Sequence, residues 1–276
     1  MFNERAVRFE SSGRQLSGVL HGADSASIGV LIVVGGPQYR VGSHRQFVHL
    51  ARDLAGRDIP VMRFDVTGMG DSEGDKKTFD QLDDDIAAAL DCFCAEAGLE
   101  RVVLWGLCDG ASAALIYGPQ DKRVSGLILT NPWLENTQAK AKTDLLDYYL
   151  RRLFSRGFWS KLLSGKVKLA DSAKDLGGTV KAAVETEQPS VCGEQYQQRM
   201  LDAYQRLPVP VCWILSGEDL TAGEFERQLQ GDKQWRKVAR RRDDRIERLA
   251  EADHTFSTRS WKLQVGRLSA DFVGGL

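Results

Sequence analysis

The stretch Val102-Val-Leu-Trp-Gly-Leu-Cys-Asp-Gly-Ala-Ser-Ala-Ala-Leu-Ile-Tyr117 decides the fold. Val102–Trp105 reads as a short buried strand, Gly106–Gly110 as a tight turn, and Ala111–Tyr117 as an alanine-rich helix. A Gly-x-Cys-x-Gly turn between strand and helix is the setting of a nucleophile elbow, with cysteine where serine is commoner. Its glycines let the backbone approach closely around a strained residue, and a helix N-terminus favours a thiolate. Cys108 is therefore the candidate nucleophile, and an acidic, activated thiol is expected. The plain alternative is a small buried cysteine with no chemistry.

Working outward, the same strand, loop, helix unit recurs. Upstream lie Ile28–Val34, which runs into Gly35-Gly36-Pro37 and a helix over 43–55, and Val61–Phe64. The latter leads through a glycine-rich loop to a helix over about 79–97, whose start carries Thr78 and Gln81 at capping-box spacing. Downstream comes the strand Val124–Thr130. Residues 5–10 and 14–20 alternate around Ser11-Ser12-Gly13 and predict an opening β-hairpin. Strand character resumes at 209–215 and 246–249, and 257–272 reads as a closing helix. Alternation of this kind predicts an α/β fold: a mostly parallel sheet covered by helices on both faces, with its site at the strand C-termini.

Between 133 and 207 the strand pattern stops and short amphipathic helices replace it. We read 1–132 and 208–276 as the core and 133–207 as a helical cap insertion. Residues 140–168 of the cap are basic and aromatic, with Lys140, Arg151, Arg152 and Lys161 among Tyr148, Tyr149, Phe158 and Trp159. Such a face suits weak contact with a membrane surface, although packing over the active site is the more economical reading. Arg236–Arg248, with Asp243 and Asp244 inside it, reads as a solvated helix face.

Composition bounds the function. The 276 residues are 42% hydrophobic and 27% charged, which is globular rather than disordered. The 37 basic residues nearly cancel 38 acidic ones, so no chain-wide field draws in nucleic acid. The N-terminal residues lack the apolar core of a signal sequence, and no run approaches a membrane span, so a cytoplasmic protein without a transmembrane segment is expected. Five cysteines without CxxC spacing and four scattered histidines suggest neither disulfides nor a metal, and no cofactor is expected. Arg40, His44 and Arg45 are candidates for binding an anionic substrate group, with a solvated basic face as the alternative. Oligomeric state is not legible here.

Several segments together, in chain order, resemble the α/β hydrolases: Gly35-Gly36-Pro37, Asp65-Val-Thr-Gly-Met-Gly-Asp-Ser-Glu-Gly74, the elbow, and Ala252-Asp-His-Thr-Phe256. The likeness covers nearly the whole chain outside the cap. More narrowly, Gly35–Arg45 with Gly106–Gly110 resembles the first of the hydrolases associated with the exosortase A system, bacterial proteins near exopolysaccharide loci. The family order of nucleophile, acid and histidine implies Cys108, Asp219 and His254, with Glu218 competing for the role of acid. The resemblance further implies an oxyanion hole built from the backbone N–H groups of Gly36 and Asp109. Val34 stands where related peptidases carry histidine, a departure that leaves a main-chain donor intact. In this family the Gly68–Gly74 loop is structural.

The expected function is hydrolysis of an ester, thioester or lactone through an acyl-cysteine intermediate, the partner being a small acyl substrate. Peptide bonds are less suited to a thiolate. Transfer of the acyl group to a sugar hydroxyl and a non-catalytic binding role are the alternatives.

Overall fold

The computed structural model describes residues 3–22, 26–36, 38–134 and 192–276. Ser12 and Gly13, at φ 48° and 76°, close a two-residue turn between Glu4–Ser11 (β1) and Arg14–His21 (β2). Turns with two positive φ values match the twist of a hairpin. The remaining strands are Ile28–Val33 (β3), Val61–Phe64 (β4), Arg101–Leu107 (β5), Val124–Thr130 (β6), Val211–Ser216 (β7) and Arg245–Leu249 (β8). They form one sheet in the order β1-β2-β4-β3-β5-β6-β7-β8. The pairings β1·β2 and β2·β4 are antiparallel and all others parallel. This is the α/β-hydrolase fold.

The helices are Gln46–Ala55 (α1), Asp83–Ala97 (α2), Asp109–Tyr117 (α3), Cys192–Arg206 (α4), Leu220–Gly231 (α5), Lys233–Ala239 (α6) and Arg259–Gly274 (α7). Val30, Ile32, Val103, Trp105, Ile128 and Ile214 bury one face of the sheet against α1 and α7. Alternate residues of β3 and β5 meet α2 and α3 on the other face. Burial on both faces explains why these strands read as continuous apolar runs.

Three local expectations are corrected. The Thr78/Gln81 capping box does not form: Phe79–Gln81 is a separate 3-10 turn, and Thr78 makes no side-chain cap. α2 begins instead with Asp83, Asp84 and Asp85 in its first turn, where negative charge suits the helix N-terminus. The basic run 236–248 is not one solvated helix face. It passes from α6 into β8, and Arg242 is turned inward, pairing with Asp244 at 2.7 Å and lying 5.1 Å from the Tyr204 ring centroid.

The chain divides into two compact units, Met1–Leu134 with Gln198–Leu276, and Glu135–Gln197. Residues 198–207, which the sequence reading assigns to the insertion, group with the sheet, where Tyr204 packs on Trp213 and Trp235. Residues 135–191 of the expected cap lie outside the described residues. Among the described residues no helix is long and apolar enough to cross a membrane.

Candidate active site

Cys108 stands between β5 and α3 with φ 57° and ψ −126°. A non-glycine residue there costs on the order of 1–3 kcal/mol and persists only when its surroundings hold it. Backbone hydrogen bonds supply the hold. Cys108 N–H donates to the Thr130 carbonyl at 3.0 Å, and its own carbonyl accepts from Ala111, Ser112 and Trp133. The glycines are sterically required, since a Cβ on Gly106 would stand 2.4 Å from the Gly110 carbonyl oxygen. A Cβ on Gly35 would stand 2.1 Å from the Gly110 nitrogen. The Gly35–Gly36 turn therefore lies directly on the elbow, with Gly36 at φ 63° beside the Asp109 carboxylate.

Asp219 and His254 come from the loops after β7 and β8. His254 Nδ1 is 2.8 Å from Asp219 Oδ2, so the ring donates there in the tautomer that leaves Nε2 free. The same carboxylate caps α5 by accepting from the N–H groups of Thr221 and Ala222. Glu218, the competitor, is exposed and uses its backbone N–H on the Ala252 carbonyl.

Electrostatics tie these groups into one cluster. The hydrogen bond to Asp219 raises the His254 pKa above its ordinary 6.5 against burial, and the charges of Asp219, Asp109 and Asp253 add to it. Burial pushes the Cys108 thiol up, and the neighbouring negative charge of Asp109 pushes it further. The expectation of an acidic thiol is thereby corrected: desolvation and a like charge outweigh the helix N-terminus. Cys92 and Cys212 are also held high, at about 11 and about 12, so no described cysteine with a resolved shift is an intrinsically acidic thiol.

Of the candidate substrate cations, Arg40 is not free. Its guanidinium pairs with Asp65 and Asp71, and its backbone N–H donates to Asp65 Oδ1 at 2.6 Å. Asp65 is fully buried, and Gly70 at φ 55° is required beside it, because a Cβ there would stand 2.1 Å from Asp65 Oδ2. The glycine-rich loop is thus a clamp on the segment that follows Gly36. His44 and Arg45 are exposed residues at positive φ leading into α1. Lys262 of α7 donates to the His44 carbonyl, and the charge of Arg45 is felt at His49.

Sequence reading missed Asn131, which follows β6. It is fully buried at φ 43° and binds both Ser216 and the His254 carbonyl. The signal was present as an Asn-Pro pair ending an apolar strand, but such pairs usually mark plain turns.

Residues 29–189, more than half the chain, match the family model described as serine aminopeptidase, S33. Among solved structures, an esterase from Pyrococcus furiosus is 15% identical, with 99% of this chain and 91% of that chain covered and a TM-score of 0.66. A dienelactone hydrolase from Anabaena variabilis is 14% identical over 98% and 96% of the two chains, with a TM-score of 0.61. Est1E from Butyrivibrio proteoclasticus, solved with ferulic acid bound, is 13% identical over 97% of each chain, with a TM-score of 0.64. At such identities the likeness establishes the fold. No curated protein sequence matches the chain.

Proposed function

Because the chain belongs to the serine aminopeptidase S33 family, we propose that it is a hydrolase that cleaves an ester, thioester or lactone through an acyl-cysteine intermediate on Cys108. The observation that carries the reading is the left-handed Cys108, seated between the Gly36 turn and α3 at the same sheet edge as the His254–Asp219 pair.

His254 Nε2 takes the Sγ proton as sulfur attacks the acyl carbon. The raised thiol makes this a concerted removal rather than attack by a standing thiolate. Negative charge moves to the former carbonyl oxygen, which the N–H groups of Gly36 and Asp109 receive. Asp109 N–H belongs to the first turn of α3, where no helical carbonyl claims it. As the tetrahedral centre collapses, the leaving oxygen or sulfur takes the proton from His254. Water then attacks the thioester, gives a proton to His254, and releases the acid and the Cys108 thiol. Asp219 holds the ring and balances its transient charge. Sulfur chemistry favours activated acyl groups over peptide bonds.

The proposal extends to a cytoplasmic setting with reduced cysteines, and to the insertion from 133 to 197 as a helical cap, residues 198–207 grouping with the sheet. The narrower resemblance at 35–45 draws in an acyl group carried by, or passed to, a sugar. Purified protein, assayed on acyl thioesters and p-nitrophenyl esters, should show turnover that Cys108→Ala lowers by at least about a thousandfold. Mass spectrometry of the Cys108 peptide after brief exposure should find the acyl adduct. Full activity in Cys108→Ala would refute the reading, and adding sugar acceptors separates transfer from hydrolysis.

A further inference from the structure

We propose that Asn131 is a positioning residue for the base, tying the loop that carries Asp219 to the loop that carries His254. The inference rests on the reading of His254 as the base. Asn131 Oδ1 accepts from the Ser216 N–H at 2.8 Å, and Nδ2 donates to Ser216 Oγ at 2.9 Å and to the His254 carbonyl at 3.0 Å. Its own N–H donates to the Ile214 carbonyl at 3.1 Å. Ser216 Oγ passes the link on by donating to the Asp253 carbonyl at 2.9 Å. One buried carboxamide thus joins the ends of β6 and β7 to the backbone of His254 itself.

The chemistry is specific to asparagine. The site needs one acceptor and two donors from a short side chain, on a residue at φ 43°, a region that asparagine tolerates better than most. An apolar residue of equal volume would fill the space yet leave the Ser216 N–H and the His254 carbonyl buried without a partner. With the carboxamide gone, the two loops lose their shared anchor and the 2.8 Å contact between His254 and Asp219 lengthens.

The test is titration of the His254 imidazole by proton NMR, assigned with His254→Gln, alongside kinetics on p-nitrophenyl acetate. In the unaltered protein Asp219, Asp109 and Asp253 hold the midpoint above 6.5 against burial. Asn131→Gly, which retains the positive φ, should bring it down by about half a unit or more and lower kcat at least about tenfold with KM within roughly threefold. Ser216→Ala removes the hydroxyl's two hydrogen bonds, to Asn131 and to the Asp253 carbonyl, but keeps the direct bond from Asn131 to the His254 carbonyl. It should shift the midpoint less in the same direction, and decides the matter if Asn131→Gly does not fold. A folded Asn131→Gly with the unaltered midpoint, or an unmoved midpoint in Ser216→Ala when that variant must decide, would overturn the proposal. A moved midpoint in a protein that turns over no ester upholds the positioning role while rejecting the hydrolase reading.

Discussion

Two opposed influences meet at Cys108. The backbone sets Cys108 at the start of a helix, which favours a thiolate, while burial and Asp109 keep its proton on. Removing the charge but not the shape separates the two. Asp109→Asn should raise the rate of Cys108 alkylation by iodoacetamide at pH 7 by about tenfold, the effect of roughly one pK unit, while burial keeps the thiol from becoming fully acidic. Peptide mass mapping over a time course reads this directly. Equal rates in the two proteins would mean that Asp109 does not govern the sulfur. Asp219 illustrates economy at the same scale, since one carboxylate both caps α5 and engages His254.

Among the elements, α2 carries one buried carboxylate in its first turn beside its buried apolar face. Asp85 accepts from the Thr67 N–H and hydroxyl, from Ser11 Oγ and from Lys77 Nζ. The first turn of the helix is thereby joined to β1 and to the loop after β4. Burial would raise the Asp85 pKa, but the hydrogen bonds from Thr67, Lys77 and Ser11 outweigh it and hold it below 3.8. Its stabilisation is therefore present above the unfolded value and is lost as pH falls through the lower folded value. Asp85→Ala strands an ammonium and several donors, and urea unfolding at pH 7 should find a loss of about 3 kcal/mol. A loss below about 1 kcal/mol would place the docking in the apolar face of α2 instead.

At the scale of the molecule, acid stability turns on His21, 1% exposed where the opening hairpin meets β4. Arg63 Nε donates to its Nε2 at 2.8 Å, which assigns the ring proton to Nδ1, 3.6 Å from Glu4. Burial and the Arg63 charge lower its pKa to about 4 against the pull of Glu4. A group depressed in this way binds its proton more readily when unfolded, so stability falls as pH drops from 6.5 toward 4, by about 3 kcal/mol. Urea midpoints at pH 7 and pH 4.5 should show His21→Gln losing much less on acidification than the unaltered protein. Parallel losses would assign the acid sensitivity to the carboxylates. The succession of strands, with α1, α3 and the closing helix α7 but not α5 and α6, was legible in the sequence, because apolar period and glycine turns are properties of neighbouring residues. So was the chain order of Cys108, Asp219 and His254, because strand-end motifs are local. The missed start of α2 had a local cause, a nominal capping pair beside three aspartates better suited to a helix N-terminus. What only the tertiary structure decided depends on burial and on partners far apart in the chain: Arg40 paired to Asp65, Asp219 rather than Glu218 against His254, and Asn131 reaching Ser216 and His254. The thiol's pKa belongs there too, because desolvation is set by what the folded chain lays over a group, and no spacing along the sequence records it.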